Sequence, residues 1–251
     1  MGRFQDQTVL VTGASGQIGA ACAAAYLAEG AYVVGVDAAP VTLEGERAVG
    51  LREDLTDAAA IARAFDAAES AFGPVSVVAQ CAAGHGRTDF LEHTAEVIDR
   101  VLAINVKATL LVGREAAARM IAAGIEGAIV NLTSISGLIS HAESVVYEAS
   151  KGAVTMATKG MANALAPHGI RVNAVGPGLM LKAQEIDEVR GPTDLSDYER
   201  QRVPLGRLGT GAEIAEAVLF LSSPAASYTT GTVLYADGGA LSAWAAFEET
   251  T

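Results

Sequence analysis

Thr8 to Gly19 reads TVLVTGASGQIG, and the fold turns on it. A short apolar, β-branched run stops at Gly13, glycines recur at 16 and 19, and an Ala-rich stretch of helical character begins near Gln17. A strand that breaks at glycine and enters a helix at once opens a strand–helix–strand unit. Glycines at this spacing permit a tight turn, close approach of a pyrophosphate and close packing of helix on strand, while free N–H groups of the first helical turn face the phosphates. A glycine triplet alone is weak evidence, since a plain strand–helix turn also uses one. The next apolar run, AYVVGVD (31–37), strengthens it by ending in Asp37, 18 residues after Gly19. That is close to the roughly 20-residue spacing at which an acid accepts hydrogen bonds from a ribose diol. An acid there also repels a 2′-phosphate, and no Lys or Arg flanks it: Ala38 follows, and Ser15 sits in the glycine turn. The stretch predicts NAD rather than NADP, the alternative being Asp37 as an ordinary turn residue.

The alternation continues along the chain. SVVAQ (76–80), GAIVNLTS (127–134), IRVNAVGPG (170–178) and GTVLYADGG (231–239) read as further strands. Between them lie Ala-rich helical patterns, clearest in AAAIARAFDAAESAF (58–72) and AEIAEAVLFLSS (212–223). Apolar strands alternating with helices predict an α/β chain: a single-domain Rossmann fold over 1–251, a doubly wound parallel sheet with helices on both faces. LKAQEIDEVRGPTDLSDYERQRVPLGRLG (181–209) departs from the pattern; its length, charge and two prolines predict a substrate lid that closes on binding. Within it Lys182 either reaches a pyrophosphate or an acidic substrate group, or points to solvent.

Bulk properties exclude several classes. The 251 residues suffice for one large core. A net charge of −12 argues against nucleic-acid and anionic-membrane partners, which need clustered Lys and Arg. Cys22 and Cys81 lack CxxC spacing and read as buried free thiols, implying neither an oxidising compartment nor a metal. His85, His93, His141 and His168 form no ligand cluster in sequence and read as surface or pocket-wall residues. The N-terminus runs straight into a strand, and no uncharged apolar run of about 18 residues resembles a membrane span. A cytoplasmic protein is expected.

The second half carries SVVYEASKGAV (144–154), in which Tyr147 precedes Lys151 by four residues. On a helix both side chains share one face. Alone, such a pair reads as a solvated surface contact. A free phenol is a poor base at neutral pH, with a pKa near 10. An ammonium about 4 Å away contributes roughly 4 kcal/mol at an effective dielectric near 20, enough to lower the phenol by about two or three units. The pairing therefore suits a phenol that takes a proton from an alcohol.

With Asn105 in AINV, Ser134 in NLTSISG thirteen residues before Tyr147, and RVNAVGPG, PLGRLGTGAEIAEAVLFLSS and TGTVLYADGG, the chain resembles the short-chain dehydrogenase/reductase family over essentially its whole length. The resemblance implies an NAD(H)-dependent interconversion of a secondary alcohol and a ketone. Ser134 then holds the substrate oxygen, Tyr147 exchanges the proton, Lys151 also holds the nicotinamide ribose, and Asn105 carries a water linking Lys151 to solvent. Cofactor contacts are implied for Gly13, Ser15, Gly16, Gln17, Ile18 and Gly19 in the turn. Asp37, Asp54 and Leu55 follow, then Cys81, Ala82 and Ala83, then Tyr147 and Lys151, and finally Pro177, Gly178 and Met180. No metal is implied. Partners are the small alcohol or ketone and further copies of the chain, as a homotetramer or dimer; the helical patterns at 105–121 and 152–166 carry more apolar surface than one sheet face needs.

The chain departs from the family pattern at three places. Gln17 stands at its middle glycine, Gln80-Cys81-Ala82-Ala83 replaces NNAG, and Lys182 replaces the Thr of PGxxxT. Gln17 must either turn away from the pyrophosphate or displace it, and Gln80 puts the usual stabilising Asn in question. These departures sustain a rival reading, a catalytically weak NAD-binding sensor or scaffold. The glycine turn and Lys151 argue against a halide-releasing lyase of related fold, and the four-residue Tyr–Lys gap against an enoyl reductase, which spaces the pair more widely. The substrate side falls to 84–93, 135–144 and 181–209, which do not rank sugars, steroids, hydroxy acids or polyketides.

Overall fold

The computed structural model describes residues 2–181, 196 and 201–242. Among them lie strands β1 (Thr8–Thr12), β2 (Tyr32–Asp37), β3 (Ala48–Arg52), β4 (Val75–Gln80), β5 (Ala128–Leu132), β6 (Arg171–Pro177) and β7 (Val233–Ala236). The helices are α1 (Gln17–Ala28), α2 (Ala58–Phe72), α3 (Ala95–Leu102), α4 (Ala108–Ala123), α5 (Val145–Leu165) and α6 (Gly211–Ser222), with a π-helical turn, Ala103–Lys107, joining α3 to α4. Every strand pairing is parallel and the order is β3-β2-β1-β4-β5-β6-β7. The order reverses between β1 and β4, which opens a crevice beyond their carboxyl ends.

Side chains alternate across each strand into two cores. Leu10 of β1 and Ile129 of β5 enter a core covered by α2, α4 and α5. Val9, Val11, Val130 and Leu132 enter the other, covered by α1 and α6. The predicted doubly wound sheet is therefore observed. The strand GAIVNLTS stops at Leu132, which frees Thr133 and Ser134 for the crevice.

Strand β3 had no counterpart among the predicted strands. Its sequence, AVGLR, has no continuous apolar run, and it sits half-exposed at the sheet edge. Pairing with β2, from Val33↔Ala48 to Asp37↔Arg52, makes it a strand; local preference does not.

The helix N-termini are built differently. Asp57 caps α2, Thr94 caps α3, and Thr210 with Glu213 forms a reciprocal capping box on α6. Gly16 caps α1 with no side chain, and α1 has no acid in its first turn.

A buried polar chain crosses the sheet. Gln80 Nε2 donates to the Thr109 carbonyl at 3.2 Å and to Asn131 Oδ1 at 3.0 Å. Asn131 Nδ2 donates to Thr158 Oγ1 at 2.8 Å. Gln80 thus ties α4, β4, β5 and α5 together and supplies the stabilising role that its departure from Asn had put in question.

Candidate active site

The crevice is a cleft of about 880 Å³ lined from both halves of the chain. Gly13 has φ +67°, and a Cβ there would lie 2.6 Å from Ala82 N. A Cβ on Gly19 would lie 2.0 Å from the Gly13 carbonyl oxygen. Gly16 is exposed and meets only that oxygen, at 3.2 Å. Two glycines are therefore fixed by chain packing, and the third leaves room for a ligand. Gly19→Ala is expected to destabilise the fold by about 3 kcal/mol, through overpacking against backbone. Gly16→Ala should change the urea midpoint little while weakening NAD binding, a difference that denaturation and NAD titration measure separately.

Asp37 is preorganised at the end of β2. Its Oδ2 accepts the Ser15 N–H at 3.1 Å and its Oδ1 the Ala39 N–H at 3.0 Å. The Ser15 hydroxyl donates to the Pro40 carbonyl at 3.2 Å. Ser15 is not part of the cleft wall; it positions the carboxylate instead. The other residues assigned to the cofactor all line the cleft. Gln17 turns aside, its Nε2 donating to the Leu181 carbonyl at 2.6 Å. The Leu181 N–H in turn donates to the Gly209 carbonyl at 2.9 Å, so both feet of the 181–209 segment are joined beside the glycine turn. The lid itself and Lys182 lie outside the described residues.

An open α1 N-terminus, a Gly16 that leaves space, and a fixed carboxylate at the end of β2 fit a dinucleotide with a free ribose diol. Thr56 and Arg100, which the sequence had not singled out, also line the cleft, as does His85, expected to be a surface or pocket-wall residue. Cys81 lines it too, with its Sγ 3.9 Å from that of Cys22; both thiols are free. Among the described residues no group of three or more His, Cys, Asp or Glu side chains stands ready to hold a metal.

On the other side of the cleft, α5 brings Tyr147 and Lys151 onto one face, with the Lys151 ammonium 5.5 Å from the phenol ring centroid. Lys151 is buried, and its Nζ donates to the Leu132 carbonyl at 2.8 Å. An ammonium has three donors, so others remain for the cleft. Burial lowers the Lys151 pKa to about 8. The Tyr147 phenol is shifted the other way from expectation: burial raises it, opposed by the hydroxyl of Ser134. Loss of solvent around a phenolate outweighs an ammonium that is itself desolvated and bonded to Leu132. Ser134, just past β5, accepts the Ser136 N–H at 3.1 Å.

Asn105 sits buried in the π-helical turn, a local irregularity frequent at functional sites. Both of its amide hydrogens and one lone pair of its oxygen are engaged. Oδ1 accepts the Gly84 N–H at 2.7 Å, and Nδ2 donates to the Gly84 carbonyl and to Ser150 Oγ, both at 2.9 Å. Ser150 Oγ donates to the Tyr147 carbonyl at 2.6 Å. The side chain therefore joins the loop after β4 to α5. The sequence reading had not singled out Ser150; its place next to Lys151 is the signal that could have found it.

A family model described as Enoyl-(Acyl carrier protein) reductase matches residues 13–240. The chain is 38% identical to cis-4-hydroxycyclohexanecarboxylate dehydrogenase of Sinomonas cyclohexanicum, covering 94% of this chain and 97% of that one. It is 37% identical to the L-tagatose-forming galactitol 2-dehydrogenase of Cereibacter sphaeroides, over 94% and 96% of the two chains. A crystal structure of a short chain dehydrogenase from Leptospira borgpetersenii with bound NAD+ superposes with a TM-score of 0.85 at 30% identity, covering 94% of this chain and 93% of that one.

Proposed function

The chain belongs to the short-chain dehydrogenase/reductase family, and from that premise we propose that it is an NAD(H)-dependent oxidoreductase interconverting a secondary alcohol and its ketone, with Tyr147 as acid/base. The observation that carries the reading is the convergence of Ser134, Tyr147 and Lys151 on the cleft that the glycine turn also lines. When bound, a nicotinamide dinucleotide supplies hydride donor and acceptor chemistry. The glycine turn and the α1 N-terminus would hold its pyrophosphate, Asp37 its adenosine ribose and Lys151 its nicotinamide ribose. Ser134 positions the substrate oxygen, and the phenol of Tyr147 gives or takes the proton on it. Lys151 keeps a positive charge beside the phenol, because a pKa of about 8 leaves it mostly protonated at neutral pH. The one-turn spacing of Tyr147 and Lys151 supports alcohol and ketone chemistry over reduction of an enoyl double bond. An NAD-reduction screen over chiral secondary alcohols tests the reading; tight NAD binding without turnover of any would favour the sensor or scaffold instead.

NAD as the preferred cofactor rests on Asp37. Asp37→Ser with Ala38→Arg removes the diol acceptor and the repulsion of a 2′-phosphate together, and supplies a cation. Its kcat/KM should fall about tenfold or more with NAD and rise with NADP. A native preference for NADP would contradict the assignment.

The same reading includes a closed homo-oligomer, a tetramer or a dimer. Leu110 and Ile121 on α4 and Met156 on α5 are exposed apolar side chains on the helices expected to pack between copies. Sedimentation as a monomer at micromolar concentration would refute it. A cytoplasmic location fits, since among the described residues no helix is long and apolar enough to cross a membrane.

A further inference from the structure

The stretch Gly84–Gly86 is anchored on both sides of its middle residue. Asn105 holds Gly84 by its N–H and its carbonyl together, at 2.7 and 2.9 Å. Nε2 of His93 lies 2.9 Å from the Gly86 carbonyl oxygen and donates to it. A Cβ on Gly84 would meet Ile104 Cδ1 at 3.0 Å, and one on Gly86 would meet Val97 and Val101 at 3.0 Å. The backbone is thus pressed down onto α3 and the π-helical turn, and His85 is the side chain it offers to the cleft.

The His85 imidazole packs against the phenol of Tyr147, with ring centroids 4.6 Å apart and planes inclined by 30°. The contact is one of ring faces, with no hydrogen bond between the imidazole and the phenol oxygen among the described residues. Neither nitrogen has a hydrogen-bond partner among the described residues. Proton exchange, as described above, uses Ser134, Tyr147 and Lys151 and leaves His85 idle. The backbone on either side is fixed, and the His85 side chain itself is exposed at the cleft beside the reacting group, with two polar atoms open to a ligand.

Its reach is set by the phenol. The substrate oxygen sits at the hydroxyl end of the ring that His85 covers. With its ring 4.6 Å from that of the phenol, the imidazole flanks the place where the substrate meets Tyr147, so the carbons nearest the carbinol are those within its reach. A neutral imidazole offers one donor and one acceptor nitrogen, and a hydroxyl pairs with whichever of them faces it, whereas a carboxylate pairs only with the donor and an alkyl group with neither. Burial, followed by the positive charges of Lys151 and Arg87, lowers the His85 pKa and favours the neutral ring.

We propose that His85 hydrogen-bonds a second hydroxyl of the substrate, carried on the carbon next to the reacting carbinol, so that the site selects vicinal diols over simple secondary alcohols. The proposal rests on the alcohol–ketone reading above. It is tested with matched pairs that differ only in the second hydroxyl: butane-2,3-diol against butan-2-ol, and cyclohexane-1,2-diol against cyclohexanol, with NAD saturating. The native enzyme should show kcat/KM about tenfold or more higher for the diol of a pair. His85→Phe keeps a ring against Tyr147 but has no nitrogen, and should bring the ratio within a pair close to one, chiefly through KM. His85→Gln should recover part of the ratio. Thermal melting and NAD titration establish that each variant is folded and holds cofactor. A native ratio near one, or a ratio unmoved by His85→Phe, overturns the proposal. So does turnover of none of the four when a wider alcohol screen finds a substrate. NAD binding with no turnover in that wider screen overturns the alcohol–ketone reading itself.

Discussion

Tyr147→Phe is expected to fold, bind NAD and lose activity by about 10²–10⁴-fold or more in kcat/KM, the range typical for loss of a general acid–base group. The substitution removes one oxygen and keeps the ring. The contact with His85 at 4.6 Å and the packing of α5 survive, so a loss of activity reports the hydroxyl and not the fold. The direction of the phenol shift adds a second signature. Burial raises its pKa, so at neutral pH the free enzyme carries a protonated Tyr147, ready to donate. Ketone reduction runs on that form, while alcohol oxidation needs a proton acceptor and should climb as the pH is raised. The Phe variant should lose this difference between the two pH profiles. Turnover by Tyr147→Phe close to native would remove the tyrosine from the mechanism.

Lys151→Met should trade activity for stability. Activity falls by about 10²-fold or more, because a buried charge facing both phenol and cofactor is lost. Stability moves the other way. The folded-state pKa of about 8 lies below the unfolded value of 10.5, so the protonated lysine opposes folding. At about 1.4 kcal/mol per unit the penalty is roughly 3 kcal/mol. It is present in full below pH 8, where both states are protonated. It disappears between pH 8 and 10.5, where the folded state has released its proton and the unfolded state has not. The excess stability of Lys151→Met over the native protein should therefore be largest at neutral pH and shrink toward pH 10.5, as urea midpoints of the two proteins measure. A variant less stable than native at pH 7, or an excess constant with pH, would show that the ammonium is not held at such a penalty.

The sequence announced what is periodic or clustered. Strands of continuous apolar residues, the glycine turn, Asp37 and the ordered set Asn105, Ser134, Tyr147 and Lys151 each leave a local pattern, and the structure brings all of these but Asn105 to one cleft. What stayed hidden depends on burial or on distant partners. Strand β3 exists because β2 lies beside it. The sign of the Tyr147 shift follows from lost solvent, and a helical spacing reveals charge proximity without revealing desolvation. The Asn105 side chain clamps Gly84, 21 residues away, and Gln17 reaches Leu181, 164 residues away. No window along the chain holds both ends of either contact.

The placement of β1 between β2 and β4 also matters while the chain is being made. Strand β2 follows β1 closely, but the other edge of β1 waits until Gln80 has been synthesised. At about 5–20 residues per second, that wait lasts several seconds. Throughout it the nascent chain carries an apolar strand with open backbone groups, which other chains can pair with. The glycine turn cannot be completed before the sheet closes over this edge, because Gly13 packs against Ala82. A fragment that stops before Val75 is accordingly expected to aggregate on synthesis unless a chaperone shields it. Its recovery as a stable monomer would mean that the first three strands fold without their neighbour.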